Sequence, residues 1–192
     1  MSKGRLEAFS DGVIAILITI MVLELKVPHG ADWEALRGIL PVFLSYVLSF
    51  VYLGIYWNNH HHMLHATKRI NGTILWTNLH LLFWLSLVPF TTSWVAENHA
   101  APLPTALYGV NLLFAGGAYA ILQRSIIKED GDGSKLALAV GQDWKAKASI
   151  GGYSGAIAIA FYVPWIAIAI YVAVAMMWLV PDPRIERAIR EG

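Results

Sequence analysis

The chain lacks cysteine altogether, which excludes disulfides, thiolate metal sites and cysteine nucleophiles. Charge is scarce as well. Only 14% of the 192 residues are Asp, Glu, Lys or Arg, whereas a soluble domain carries about 25% to keep its surface wet. The few charges balance to +1 and are scattered between apolar runs. They form no basic patch, and no nucleic-acid partner is expected. Nor is a cleavable signal peptide expected, because the first apolar run is too long for one and holds Asp11 and Glu24. What remains abundant is apolar side chain, 57% of the total. With so little polar surface to offer water, the solvent for much of this molecule is lipid.

A bilayer crossing needs about 20 mostly apolar residues. The sequence offers such runs at about 5–26, 36–57, 74–95 and 105–127. The 35 residues from Ala146 to Val180 would make one helix of roughly 52 Å, too long for a hydrocarbon core of about 30 Å. Pro164 lies near their midpoint and divides them into spans at 146–162 and 164–180. The expected fold is therefore an all-α integral membrane protein, one domain of six transmembrane helices. Residues 128–145 contain the turn signal GDG and a short apolar patch, a flexible linker with a candidate surface helix.

Charge placement supports six crossings. Twelve of the 14 basic residues (Lys3, Arg5, Lys68, Arg69, Arg124, Lys128, Lys135, Lys145, Lys147, Arg184, Arg187 and Arg190) then share one side, leaving Lys26 and Arg37 for the other. The positive-inside rule makes the richer side cytoplasmic, with both termini and the 128–145 linker. Trp33, Trp57, Trp94, Trp144 and Trp178 fall near span ends, as an interfacial aromatic belt requires.

The first span is the most polar of the six, with Arg5, Ser10, Asp11, Thr19 and Glu24 in or beside it. An ionised group at mid-bilayer costs roughly 3 kcal/mol, so such side chains turn toward protein or water. The plainest account is that they tie helices together. At 100° per residue, Arg5, Phe9, Gly12, Ile16, Thr19, Ile20, Leu23 and Val27 share a face. Asp11 lies about 140° from that face and Ser10 about 120° away on the other side, both turned toward neighbouring helices. Taken alone, the apolar stripe through Ile16 is ordinary helix packing.

The arrangement R-x-x-x-F-S-D-G, present as Arg5, Phe9, Ser10, Asp11 and Gly12, resembles the signature of the transmembrane protein 175 family of potassium channels. The following VIAILITIMVLELKVP and the YWNNHHHMLH that ends the second span are similar to its bacterial members. Lysosomal members of animals carry two six-helix units per chain, and this sequence has one. The resemblance implies a homotetramer whose first helices line a central pore without a carbonyl filter. By position it puts an apolar constriction at Ile16, with Thr19, Ile20, Leu23 and Gly12 on the same lining. A narrow apolar ring blocks by dewetting, and widening it admits an ion with part of its hydration shell. Potassium sheds water more readily than sodium, and Thr19 hydroxyls would replace some of what is lost.

His60, His61, His62 and His65 invite a metal reading, since His61 and His65 have i, i+4 spacing. No carboxylate or cysteine lies near them in sequence, and no metal is expected. Instead His60 or His61 is expected to hydrogen-bond Asp11 or Ser10, with Trp57 packed alongside. Asn78, His80, Asn111 and Gln123 fit ordinary interhelical hydrogen bonds, and Gly116, Gly117, Gly151, Gly152 and Gly155 fit close helix contact. No nucleophile–base motif is present, so no enzyme is expected. The expectation is a potassium-preferring channel in the cell membrane, multi-pass as in a bacterial inner membrane, with permeating potassium and no cofactor. A proton-coupled secondary transporter using Asp11 and the 60–65 histidines is the alternative. A membrane enzyme or metal-binding protein built on those histidines comes third. A monomer in detergent would favour either of these over the channel.

Overall fold

A computed structural model describes residues 2–131, 133–140 and 144–179. Among these residues the chain forms eight helices and no strand. They are α1 (Lys3–Leu23), α2 (Trp33–Ala66), α3 (Gly72–Ser86), α4 (Val88–Glu97), α5 (Pro102–Asp130), α6 (Lys135–Val140), α7 (Trp144–Ala160) and α8 (Pro164–Leu179). The stretches Lys3–Leu23, Trp33–Ala66, Gly72–Glu97 and Pro102–Asp130 are long and apolar enough to cross a bilayer, and α8 is a shorter apolar helix. The protein is a multi-pass membrane protein. Arg184, Arg187 and Arg190 of the charge argument lie outside the described residues, as does the last residue of the expected final span.

Local chemistry sets the helix ends. Asp32 accepts a hydrogen bond from the Ala35 amide at 2.8 Å and starts α2. Asn71 does the same for α3 through the Ile74 amide at 2.9 Å. The stretch expected as a single span at 74–95 is two helices with a break at Leu87. Pro89 in the first turn of α4 has no N–H, and its ring crowds the carbonyl four residues back. In the other direction α2 runs nine residues past Trp57, its expected end, because NNHHHMLHA contains no helix breaker. The Thr67 hydroxyl then bonds the Met63 carbonyl at 2.9 Å as the helix stops. The histidines therefore continue α2 beyond the expected span. Between α7 and α8, Phe161–Val163 make a tight turn, and Pro164 opens α8.

Two cores result. The first joins α1, α2, α3 and α5 through Ile14, Leu53, Leu64, Leu81 and Leu122, with Leu136 of α6 against it. The second joins α2, α5, α7 and α8 around Tyr52, Tyr108, Tyr153 and Tyr171. Helices α2 and α5 contribute to both and hold the halves together. Gly109 is required in the second core, because a Cβ there would overlap the Tyr171 hydroxyl. That close approach lets the tyrosine reach across α5 and bond the Thr105 carbonyl at 3.1 Å.

Candidate pore helix and its anchoring network

Helix α1 has two unlike faces. Leu6, Ser10, Ile14, Leu17 and Met21 recur at helical spacing and are buried against α2 and α3. On the opposite side Ile16 is 57% exposed and Leu23 78% exposed, in line with exposed Phe9, Gly12, Thr19 and Ile20. A helix that buries one stripe and leaves a second apolar stripe uncovered still has a surface for lipid or another chain. The Thr19 hydroxyl donates to the Ile16 carbonyl at 2.9 Å. Its proton is thus directed at the backbone, which leaves the oxygen lone pairs for a donor or a cation.

Two polar contacts fix the rotation of α1. On one flank the buried Ser10 hydroxyl accepts from Asn78 Nδ2 at 2.9 Å, and Asn78 Oδ1 accepts from His60 Nε2 at 2.7 Å. The amide donates one way and accepts the other, so the series closes with the proton on His60 Nε2. It links α1, α3 and α2 inside an apolar core, where an unmade bond would cost the full desolvation of each group. On the other flank Trp57 Nε1 donates to Asp11 Oδ1 at 3.0 Å. The Trp57 ring stacks on His61 at 6.2 Å, and His61 on His65 at 6.1 Å, one helical turn apart each time. Lys3 closes the column by donating to the His65 carbonyl at 2.7 Å. Arg5 is exposed at the foot of α1.

This geometry differs from the expected one in its contacts. The hydrogen bonds of Asp11 and Ser10 go elsewhere than to His60 or His61 directly: the indole takes the carboxylate, and Asn78 relays His60 to Ser10. In sequence Asn78 reads as an ordinary interhelical polar group. Its signal was a lone amide within the apolar run ILWTNLHLLF, a costly residue to keep without a partner. Among the described residues, no three His, Asp or Glu side chains are gathered as a metal would need.

The region holding these contacts is also the region that a family profile matches. A family profile described as endosomal/lysosomal potassium channel TMEM175 matches residues 5–89. A potassium channel of Chryseobacterium sp. (strain P1-3) is 55% identical over 192 residues, the whole of both chains. The chain belongs to the TMEM175 family. A crystal structure of a Chamaesiphon minutus homolog of TMEM175, the latter described as a lysosomal potassium-selective channel, superposes with a TM-score of 0.80. That match covers 94% of this chain and 98% of the other at 26% identity. The human TMEM175, described as an endosomal/lysosomal proton channel, is 38% identical over 96 residues, which are 43% of this chain and 19% of the human one. The family is one of channels, and channels are not enzymes. The TMEM175 profile begins at Arg5 and ends at Pro89, so it spans the Ser10–Asn78–His60 series and the Asp11–Trp57 pair.

Proposed function

We propose that this chain is a potassium-preferring cation channel of the cell membrane, assembled from four copies with α1 around a central axis. Each subunit crosses the membrane six times, the α7–α8 hairpin supplying the last two passes, with both termini cytoplasmic. The observation that carries the reading is the pair of faces on α1. One is tied down by Ser10 and Asp11, and the other, through Ile16, is uncovered. Four such faces around an axis form an apolar lumen whose narrowest ring is Ile16, with Gly12 on one side and Thr19, Ile20 and Leu23 on the other. The ring gates by dewetting, and the Thr19 oxygens meet the ion one turn on. Arg5, Phe9, Ser10, Asp11, Trp57, His60 and His61 act as scaffold and do not touch the ion.

The test uses purified protein in liposomes holding an outward potassium gradient. Flux that persists with the proton gradient collapsed supports a channel. Flux that stops with it would replace the channel by the proton-coupled transporter. One observation favours a second permeant, since the vertebrate relatives are described as proton channels. A pH dye inside the same liposomes, with potassium absent, reads proton current directly.

A further inference from the structure

Four acidic side chains stand at the end of the molecule where α1 stops and α2 begins: Glu24, Asp32, Glu34 and Glu97. Three of them have a structural account. Asp32 caps α2 by accepting from the Ala35 amide at 2.8 Å. Glu34 lies in the first turn of α2, where the positive end of the helix dipole favours a carboxylate. Glu97 faces Lys26 at 3.6 Å.

Glu24 has no such account. It is the C-cap of α1, the negative end of that helix dipole, where a cation is favoured and a carboxylate is not. The last turn of α1 holds no basic residue to offset it. Glu24 is exposed, and among the described residues it makes no ion pair. Lys26, two residues on, has its ammonium at Glu97 instead. Glu24 directly follows Leu23 and lies about 80° round the helix from Ile16, at the edge of the uncovered face. A residue that breaks a local rule with no local gain marks a functional position.

We propose that Glu24 forms the outer mouth of the pore, where its charge gathers monovalent cations without ligating them. The inference rests on the tetrameric pore of the proposed function. Four copies of Glu24, added to the carbonyl ends of four α1 helices, put negative charge just beyond Leu23. Cations collect there and anions are turned away. The ion keeps its water at this distance, so the mouth sets how often cations enter and leaves the choice between potassium and sodium to the Ile16 ring. Four unit charges roughly 10 Å from the axis raise the local cation concentration about fivefold at ~10 mM salt, and hardly at all at ~1 M, where screening reaches only about 3 Å.

Single-channel currents of the full chain in planar bilayers test this. In about 10 mM potassium chloride, Glu24→Gln should pass about fivefold less current than wild type, more so for ions entering from the Glu24 side. In about 1 M salt the two should conduct alike. Glu24→Asp should keep the wild-type current, and the potassium-to-sodium ratio should be the same in all three. The chain has no cysteine, so Glu24→Cys supplies a second route if the glutamine variant does not assemble. A thiol reagent carrying a sulfonate should restore its low-salt current, and one carrying a trimethylammonium should lower it further. A Glu24→Gln loss of equal size at both salt concentrations would overturn the proposal, as would no loss at either. Currents that still respond to Ile16→Asn would then leave the pore standing without this mouth, whereas currents indifferent to Ile16→Asn would remove the pore and the mouth together.

Discussion

The two halves of the molecule use buried polar groups differently. In the α1–α3 half, side chain meets side chain across helices: Ser10 to Asn78 to His60, and Asp11 to Trp57. Around α7 and α8, two tyrosine hydroxyls reach main chain, Tyr52 to the Tyr171 carbonyl and Tyr171 to the Thr105 carbonyl, beside single side-chain pairs of Tyr153 with Tyr52 and Trp178 with Ser149. A series of side chains works only with particular partners, and it sets the rotation of the helix it holds. A tyrosine on a carbonyl asks only that a helix be present at the right distance. The family profile stops at residue 89, and on the proposed function the first half would set a pore face that the second half supports.

The largest effect is expected on that face. On the proposed pore, Ile16→Asn would remove the dewetting barrier from every subunit of the ring at once, so potassium current should rise, with weaker discrimination against sodium. Ala15 is also exposed but about 100° round the helix, and Ala15→Asn should not reproduce the gain. Equal currents from both variants in well-assembled protein would move the pore away from this stripe.

Asn78→Leu comes next, because it orphans two groups. Ser10 and His60 are both buried, and each unpaired partner costs ~1–3 kcal/mol. A drop in thermal stability together with loss of conduction is expected. Preserved conduction in the surviving protein would show that the series stabilises α1 without orienting it.

Much of the first half was legible in the sequence. The polar residues of α1 and their angular separation from the Ile16 stripe follow from helical period, and in the other half the division at Pro164 follows from proline chemistry. What could not be read was the choice among partners on other helices. Trp57 and His61 lie one turn apart on the same face of α2, so periodicity made both available to Asp11. Which one reaches depends on the crossing of α1 and α2. The length of α2 was missed because a span was measured against lipid thickness, while a helix ends only where its backbone chemistry changes, here at Thr67.

Asp11→Ala should cost less than Asn78→Leu. The carboxylate is only half-buried and Trp57 is 45% exposed, so water replaces part of the lost bond. About 1–2 kcal/mol is expected, at or below the low end of the ~1.5–3 kcal/mol of a hydrogen bond to a charged group, because water takes up part of the loss. Reduced tetramer yield with unchanged unitary conductance would match the scaffold role. Intact tetramers with altered conductance would place Asp11 in the ion path.

The smallest effect belongs to the other half. Tyr171→Phe keeps the ring within its pocket and removes only the hydroxyl that bonds the Thr105 carbonyl. That side chain is fully buried, so no water stands by to take its place. Net loss of one neutral hydrogen bond should lower stability by ~1 kcal/mol, read as a few degrees in a melt of the detergent-solubilised protein. Conduction and ion preference should be untouched, since Tyr171 packs against α5 and α7 and the α1 anchors lie in the first core. The variant thus sets a buried bond that supports packing against one, at Asn78, that orients a face. If Tyr171→Phe altered selectivity as Asn78→Leu is expected to alter conduction, the two cores would be mechanically one, coupled through α2 and α5, and the division drawn at residue 89 would carry no functional meaning.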